Sequence, residues 1–221
     1  MSGRLIVFEG VEGCGKTTQL QRSQEWLQSL HPYGSATFSV VVTREPGGTE
    51  LGLCLRRLLL LEAEGEPIQD RAELLLYAAD RAQHVEEVLK PALAHAAIIL
   101  CDRYTDSTIA YQGYGRGLSL SLIHQLNSIA TGGLKSDLTL WLDVDVEVGL
   151  ARKRGQKDAD RIEQETIAFH QLVQQGYTEL SQAHPERIVR VDASLSEAAV
   201  QEQIQGILSQ RLTQWYEGFR G

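Results

Sequence analysis

Apolar residues recur along this chain in short, nearly continuous blocks, separated by longer stretches in which they return every three or four positions. Five blocks read as strands: Arg4–Phe8, Phe38–Thr43, Ala97–Cys101, Leu138–Val144 and Arg187–Val191. Most are rich in β-branched residues and show little alternation, which predicts strands buried on both faces of a parallel sheet. Helical patterns lie between them, over Thr18–Leu30, Leu51–Leu61 and Arg71 to about Leu89. The expected architecture is therefore α/β, a five-stranded parallel sheet flanked by helices through right-handed crossovers. No repeat, low-complexity tract or linker divides the sequence, so residues 1–221 are expected to form one domain.

Turn and cap signals refine this outline. Tyr33-Gly34-Ser35 is a loop feeding the second strand, and Glu62-Ala63-Glu64-Gly65-Glu66-Pro67 reads as an exposed acidic loop. Asp70-Arg71-Ala72-Glu73 has capping-box character at the start of the long helix, and Ser194 or Ser196 is the expected N-cap of the last one. The polar cluster from Arg152 to Glu163, broken at Gly155, is either a solvated face or a lid spanning about 152–161. The aromatic tail Trp215-Tyr216-Glu217-Gly218-Phe219 carries no signal of chemistry.

Composition narrows the possible partners. With 29 acidic against 21 basic residues and a net charge of −8, a non-specific grip on nucleic acid is excluded, and any phosphate must be met by locally placed arginines. Three widely spaced cysteines, Cys14, Cys54 and Cys101, form no metal-ligand pairs and favour free thiols in a reducing cytoplasm. No apolar run is long enough to span a bilayer and no signal segment precedes the first strand, so a soluble, untargeted protein is expected.

Chemistry concentrates after the first strand, in Gly10-Val11-Glu12-Gly13-Cys14-Gly15-Lys16-Thr17, which fills every fixed position of the P-loop pattern. Glycines let consecutive backbone N–H groups converge on phosphate oxygens at the positive end of the following helix. Lys16 then reaches the β and γ phosphates, and the Thr17 hydroxyl serves Mg²⁺. No variable position of the loop is basic, so the charge on a transferred phosphoryl group must also be met by arginines from elsewhere. Cys14, beside Lys16 at a helix N-terminus, takes a small-residue slot in the loop.

Further candidates sit at other strand ends. Thr43-Arg44-Glu45-Pro46-Gly47-Gly48-Thr49 forces a turn where α/β sheets place their ligands; Arg44 reaches a phosphate or pairs with Glu45 or Glu50. Asp102 closes the third strand as a Walker-B-type acid for Mg²⁺, with Arg103 placed to clamp an acceptor phosphate; a buried Asp102–Arg103 ion pair is the structural alternative. Tyr77 and Arg81, four apart on one helical face, suit stacking on a base and donating to its edge, although such pairs are commonly packing contacts. Ser107-Thr108-Ile109-Ala110-Tyr111-Gln112-Gly113 starts as a helix and runs into a glycine-broken loop. The adenine ring of a donor nucleotide is expected against the loop at Val191-Asp192-Ala193-Ser194.

Taken together, GVEGCGKTT, TREPGGT, YAADR, DRY, STIAYQG and the lid ending DRIE, in this order from Leu5 to about Ala193, resemble the thymidylate kinase family of P-loop nucleoside-monophosphate kinases. The resemblance implies phosphorylation of dTMP to dTDP by MgATP in dTTP synthesis, and a homodimer packed through helices on one side of the sheet. It extends the donor-binding segment from Gly10 to Thr18. Tyr77 falls where the family stacks an aromatic on thymine, and Arg81 where it bonds the base. Thr108 and Tyr111 line base and sugar, Tyr111 crowding the 2′ position, with Ser107 and Gln112 of the same motif and Arg44 counted among the substrate-binding residues. Arg103 corresponds to the acceptor-phosphate arginine, and Glu12 to an acid near the sugar 3′-hydroxyl and phosphate acceptor. A P-loop without arginine, joined to a lid carrying Arg154 and Arg161, is similar to the bacterial type, whose lid supplies the catalytic arginine. Rival readings are another small-molecule kinase on the same fold, a structural ATP-binding subunit, and a GTPase switch. The last lacks its guanine-reading Asn-Lys-x-Asp motif, since the only asparagine, Asn127, is followed by Ser128.

Overall fold

A computed structural model of the chain describes residues 2–30, 38–60, 67–153 and 161–216. Strands β1 (Arg4–Glu9), β2 (Val40–Arg44), β3 (Ile98–Asp102), β4 (Leu138–Asp143) and β5 (Ile188–Asp192) form one sheet in the order β2-β3-β1-β4-β5. Every neighbouring pair is parallel, as expected from the alternation of strand and helix. β1, β3 and β4 are the inner strands, and their apolar blocks are buried almost throughout. Burial on both faces does not hold for β2 and β5, which lie at the sheet edges and are only partly covered.

Helices cover both faces. Ile6 and Phe8 of β1 enter the larger core with apolar residues of α1 (Lys16–Ser29), α8 (Ile167–Ala183) and α9 (Glu197–Trp215). Leu5 and Val7, one residue out of phase, enter a smaller core with Ile99, Cys101, Tyr104, Val85 and Leu89. α2 (Glu50–Leu60) packs on α3 (Asp70–His84), and α3 continues through a π-helical turn, Val85–Leu89, into α4 (Lys90–Ala94). α5 (Thr105–Thr108) likewise runs into a π-helical stretch, Ile109–Gly115, before α6 (Leu120–Thr131), and α7 (Val146–Lys153) follows β4.

The strand ends matter most for function. β1, β2, β3 and β5 each run one residue beyond the apolar block, ending in Glu9, Arg44, Asp102 and Asp192, while β4 ends at Asp143. The backbone of a charged residue still pairs with its neighbour while its side chain breaks the apolar pattern, so hydropathy stops one residue early. These groups mark the carboxyl edge of the sheet, where the crevice falls between β1 and β3, adjacent strands whose outgoing connections run to opposite sides of the sheet.

Candidate active site

A cavity of about 860 Å³ opens at that edge, with Glu12–Gln19 on one wall and Tyr77, Arg81, Arg103, Ser107, Thr108, Tyr111 and Gln112 on the other. Arg44 and Asp102 join it from the ends of β2 and β3.

The P-loop wall is built from backbone. Gly13 has φ 70°, and a Cβ there would lie 1.9 Å from the Gly149 carbonyl oxygen, so only glycine lets the loop rest on α7. Gly15 caps α1 at φ 96° with no side chain covering the helix's first amides, leaving them available to an anion. Lys16 Nζ donates to the carbonyls of Gly10 (3.0 Å) and Val11 (3.1 Å), which holds the ammonium at the cavity wall. Thr17 is exposed and Thr18 half-buried beside it. Cys14 is only 2% exposed, with Sγ 3.5 Å from Lys16 Nζ, so its thiol is packed into the loop.

On the opposite wall Arg103 is the anchor. Its backbone is left-handed (φ 69°), turning the side chain away from Asp102. Arg103 pairs with Glu12, and the alternative Asp102–Arg103 bridge does not form. Nη2 also donates to the Tyr111 hydroxyl (3.0 Å), and Nη1 to Ser107 Oγ and the Gly10 carbonyl (both 3.1 Å). Tyr111 in turn donates to Glu12 (3.1 Å), so acid, arginine and phenol form a closed ring beside the P-loop. Burial pushes the Glu12 carboxyl up, but Arg103, Lys16 and Lys153 outweigh it and hold the pKa at about 2.

Tyr77 is half-buried on the cavity wall, whereas Arg81 is 2% exposed and tightly held. Its Nε donates to Glu45 (2.8 Å), Nη1 to Thr108 Oγ1 (2.8 Å) and Asn127 Oδ1 (2.7 Å), and Nη2 to the Tyr104 carbonyl (3.0 Å). Among the described residues Arg44 forms neither expected ion pair; Glu45 belongs to Arg81, and Arg44 is exposed at the cavity. Asp102 has a buried Oδ1 without a hydrogen-bond partner.

Several residues central to this geometry carried no functional signal in the sequence. Glu73 does not complete a capping box: Gln69 is the N-cap of α3, without a side-chain bond. Its fully buried carboxylate instead receives Gln112 Nε2 (2.8 Å), the Arg161 guanidinium and Arg116. Glu9 receives Ser107 Oγ (2.6 Å), Tyr177 OH and the Tyr104 amide (both 2.8 Å), and burial, reinforced by Asp106, raises its pKa to about 7. A charged residue immediately after an apolar strand block was the available clue to Glu9. The loop after β5 contributes Ala193, Leu195 and Ser196, with Ser196 the N-cap of α9; Arg152 and Lys153 approach from α7. Arg154 lies outside the described residues, as does most of the lid expected at 152–161.

A phosphate-binding loop facing a second wall of arginine, tyrosine and carboxylate, over a 2-3-1-4-5 parallel sheet, defines a P-loop kinase that brings two nucleotides together. The sequence model of the family described as thymidylate kinase matches residues 8–204. The chain is 68% identical over 216 residues to a thymidylate kinase of a Nostoc species, covering 97% of this chain and 100% of the relative. It is 70% identical over 209 residues to that of Nostoc punctiforme, covering 94% and 96%. The crystal structure of thymidylate kinase from Ehrlichia chaffeensis superposes with a TM-score of 0.75 at 33% identity, covering 94% of this chain and 100% of that one. This chain belongs to the thymidylate kinase family.

Proposed function

We propose that the two walls of the cavity hold the two substrates of one reaction, the donor on the P-loop and the acceptor between Tyr77 and Arg103. As a member of its family the chain phosphorylates dTMP to dTDP with ATP as donor, a step in dTTP synthesis. The observation that carries the reading is the ring of Arg103, Glu12 and Tyr111 beside Lys16, since it puts acceptor-side groups against the P-loop.

In this reading Gly10–Thr18 cradle the ATP phosphates, and adenine lies toward Ala193–Ser196. Arg103 and Arg44 receive the dTMP phosphate, Tyr77 stacks on thymine, Arg81 donates to its edge, and Thr108 and Gln112 close the base pocket. Ser107 steadies Arg103, and Tyr111, bonded to both Arg103 and Glu12, crowds the 2′ position of the sugar. The acceptor phosphate is already a good nucleophile at neutral pH, so no strong general base is needed and catalysis is positioning plus charge stabilisation.

The residues fit a magnesium ion. Asp102 has an unpartnered buried oxygen and Thr17 an exposed hydroxyl at the same cavity. No cluster of three ligating side chains occurs among the described residues, and none is needed where waters and substrate phosphates complete the shell. Thr17 and Asp102 would hold Mg²⁺, which when bound neutralises charge on the phosphoryl oxygens.

The lid at about 152–161 completes the site. Arg161 is committed to Glu73 and donates from Nε to the Leu59 carbonyl (3.1 Å), which favours Arg154 as the catalytic arginine. A homodimer is supported by exposed apolar side chains on neighbouring helices: Leu51, Leu53 and Leu58 on α2, Leu75 on α3, Leu122 and Ile129 on α6. Free thiols at Cys14, Cys54 and Cys101 fit a cytoplasmic location. We take the chain as one domain.

ADP release measured with dTMP, dUMP, dCMP, dGMP or AMP as sole acceptor tests the reading. dTMP is expected to lead. dUMP, lacking one methyl, should follow at a cost of about 1–3 kcal/mol, and the purine nucleotides should be far worse. Equal turnover of AMP and dTMP would overturn it.

A further inference from the structure

Beside Arg81 on the acceptor wall, Thr43, His84 and Glu45 form a line of side chains to which the proposed reaction gives no role. Thr43 Oγ1 lies 2.7 Å from His84 Nε2, and His84 Nδ1 lies 2.8 Å from Glu45 Oε1. The other oxygen of Glu45 accepts from Arg81 Nε at 2.8 Å. His84 is 0% exposed, Glu45 4% and Arg81 2%, so water cannot substitute for the His84–Glu45 and Glu45–Arg81 links, while Thr43 at the outer end is half-buried. The Glu45 carboxylate can only accept, so Nδ1 of His84 carries the hydrogen. In the neutral ring Nε2 then accepts the Thr43 hydroxyl.

The same ring supports the loop that carries Glu45. A Cβ on Gly48 would lie 2.5 Å from His84 Cδ2, so the loop backbone rests on the imidazole. One turn earlier on α3, Asp80 Oδ1 accepts from the Gly47 amide (3.0 Å), and the Glu45 amide donates to the Asp102 carbonyl (2.9 Å). The loop after β2 is thus held by α3 and β3 together.

The consequence lies at Arg81. Of its five N–H groups, Nε serves Glu45, both on Nη1 serve Thr108 and Asn127, and one on Nη2 serves the Tyr104 carbonyl. One N–H remains for a ligand in the cavity that Arg81 lines. A single donor has no second bond to the ligand to correct its aim, so its direction depends on the four bonds that hold the planar group, of which the Glu45 clamp at Nε is the charged one.

We propose that His84 is a positioning residue for acceptor-base recognition: with Thr43 it fixes the Glu45 carboxylate, which aims the remaining N–H of Arg81 at the base. The proposal rests on the reading of Arg81 as the base-contacting arginine. It assigns His84 and Thr43 an effect on dTMP that does not extend to ATP.

The test is steady-state kinetics of His84→Ala, His84→Asn, Thr43→Val and Arg81→Ala, with melting temperatures. Misaiming one donor should raise the KM for dTMP about tenfold or more in His84→Ala while the KM for ATP stays within about twofold. His84→Asn keeps an N–H toward Glu45 and should recover most of the loss. Thr43→Val, nearly isosteric, removes only the outer link and gives a smaller rise in the same constant, which serves if the alanine variant does not fold. A rise in both KM values together, or equal loss in His84→Ala and His84→Asn, would overturn the proposal. If Arg81→Ala raises the dTMP KM while His84→Ala and Thr43→Val do not, the proposal alone fails. If Arg81→Ala leaves the dTMP KM unchanged, the reading of Arg81 fails and the proposal with it.

Discussion

Arg103 and Glu12 meet across the seam between the two walls of the cavity, guanidinium Nη2 against carboxylate Oε1, each side chain only 16% exposed. One belongs to the end of β3 and the other to the P-loop, so the pair ties the proposed acceptor side to the donor side. Within a largely desolvated site the carboxylate survives as an anion because Arg103, Lys16 and Lys153 surround it.

The Glu12 pair has a consequence for acid stability. Its carboxyl falls from 4.5 to about 2 on folding, which corresponds to roughly 3 kcal/mol of stability at neutral pH. A lowered folded pKa means the unfolded chain takes up the proton first as pH falls. The contribution is therefore complete above about 4.5 and is lost progressively toward 2. Glu12→Gln should lower stability at neutral pH and flatten its decline through the upper part of that window, measured by urea unfolding at a series of pH values. A decline as steep as that of the parent would contradict the assignment.

Glu9 should act with the opposite sign. Burial first, then Asp106, raises its carboxyl from 4.5 to about 7, so the folded protein keeps the proton longer than the unfolded chain does. The stabilising contribution is complete below about 4.5 and is lost as pH rises through about 7. Glu9→Gln keeps a neutral side chain against Ser107 and Tyr177 and should remove this loss, making thermal stability flatter from mildly acidic to neutral pH. Unchanged pH dependence in a differential scanning experiment would show that Glu9 is ionised throughout.

What could be read without coordinates divides along sequence distance. The P-loop is contiguous, and each of its demands, glycine for close approach and lysine for phosphate, falls on neighbouring positions. Strands and order of elements were legible for the same local reason, because apolar blocks report burial. Groups whose meaning depends on distant partners were not. Glu73 looked like a helix cap because its local spacing fits one, but its partners Gln112 and Arg161 lie 39 and 88 residues away. Glu45 and His84, also 39 apart, had no local pattern linking them. The alternative Asp102–Arg103 ion pair likewise gives way to a distant partner, since Arg103, left-handed at φ 69°, pairs with Glu12, 91 residues away.

The lid arginines should separate by kinetics. Arg161 is tied to Glu73 and to the Leu59 carbonyl, so its removal leaves a buried carboxylate with fewer donors and should act mainly on stability. Arg154 is the residue proposed to meet the charge of the transferred phosphoryl group. Arg154→Ala should lower kcat by about 10³-fold with little change in either KM, whereas Arg161→Ala lowers the melting temperature and reduces kcat by about tenfold. A greater kcat loss in Arg161→Ala than in Arg154→Ala would reverse the two roles.

Assembly should respond to one side chain on α6. Ile129 is 78% exposed, the most open of the large apolar residues described, and it shares its helix with the exposed Leu122. α6 packs on α3 and α3 on α2, so Leu75, Leu51, Leu53 and Leu58 extend the apolar character over three adjoining helices. Isolated apolar side chains on a surface need no explanation, but this many on adjoining helices mark a face whose covering lowers the free energy. A charge at its most exposed point cannot be desolvated on pairing without a partner of opposite sign, and two-fold symmetry would bring two like charges to the same interface. For the proposed homodimer, Ile129→Arg should therefore shift the protein from dimer to monomer in sedimentation velocity while leaving the far-ultraviolet circular dichroism spectrum unchanged. An Ile129→Arg protein that sediments as a dimer at the same concentration would place the interface elsewhere.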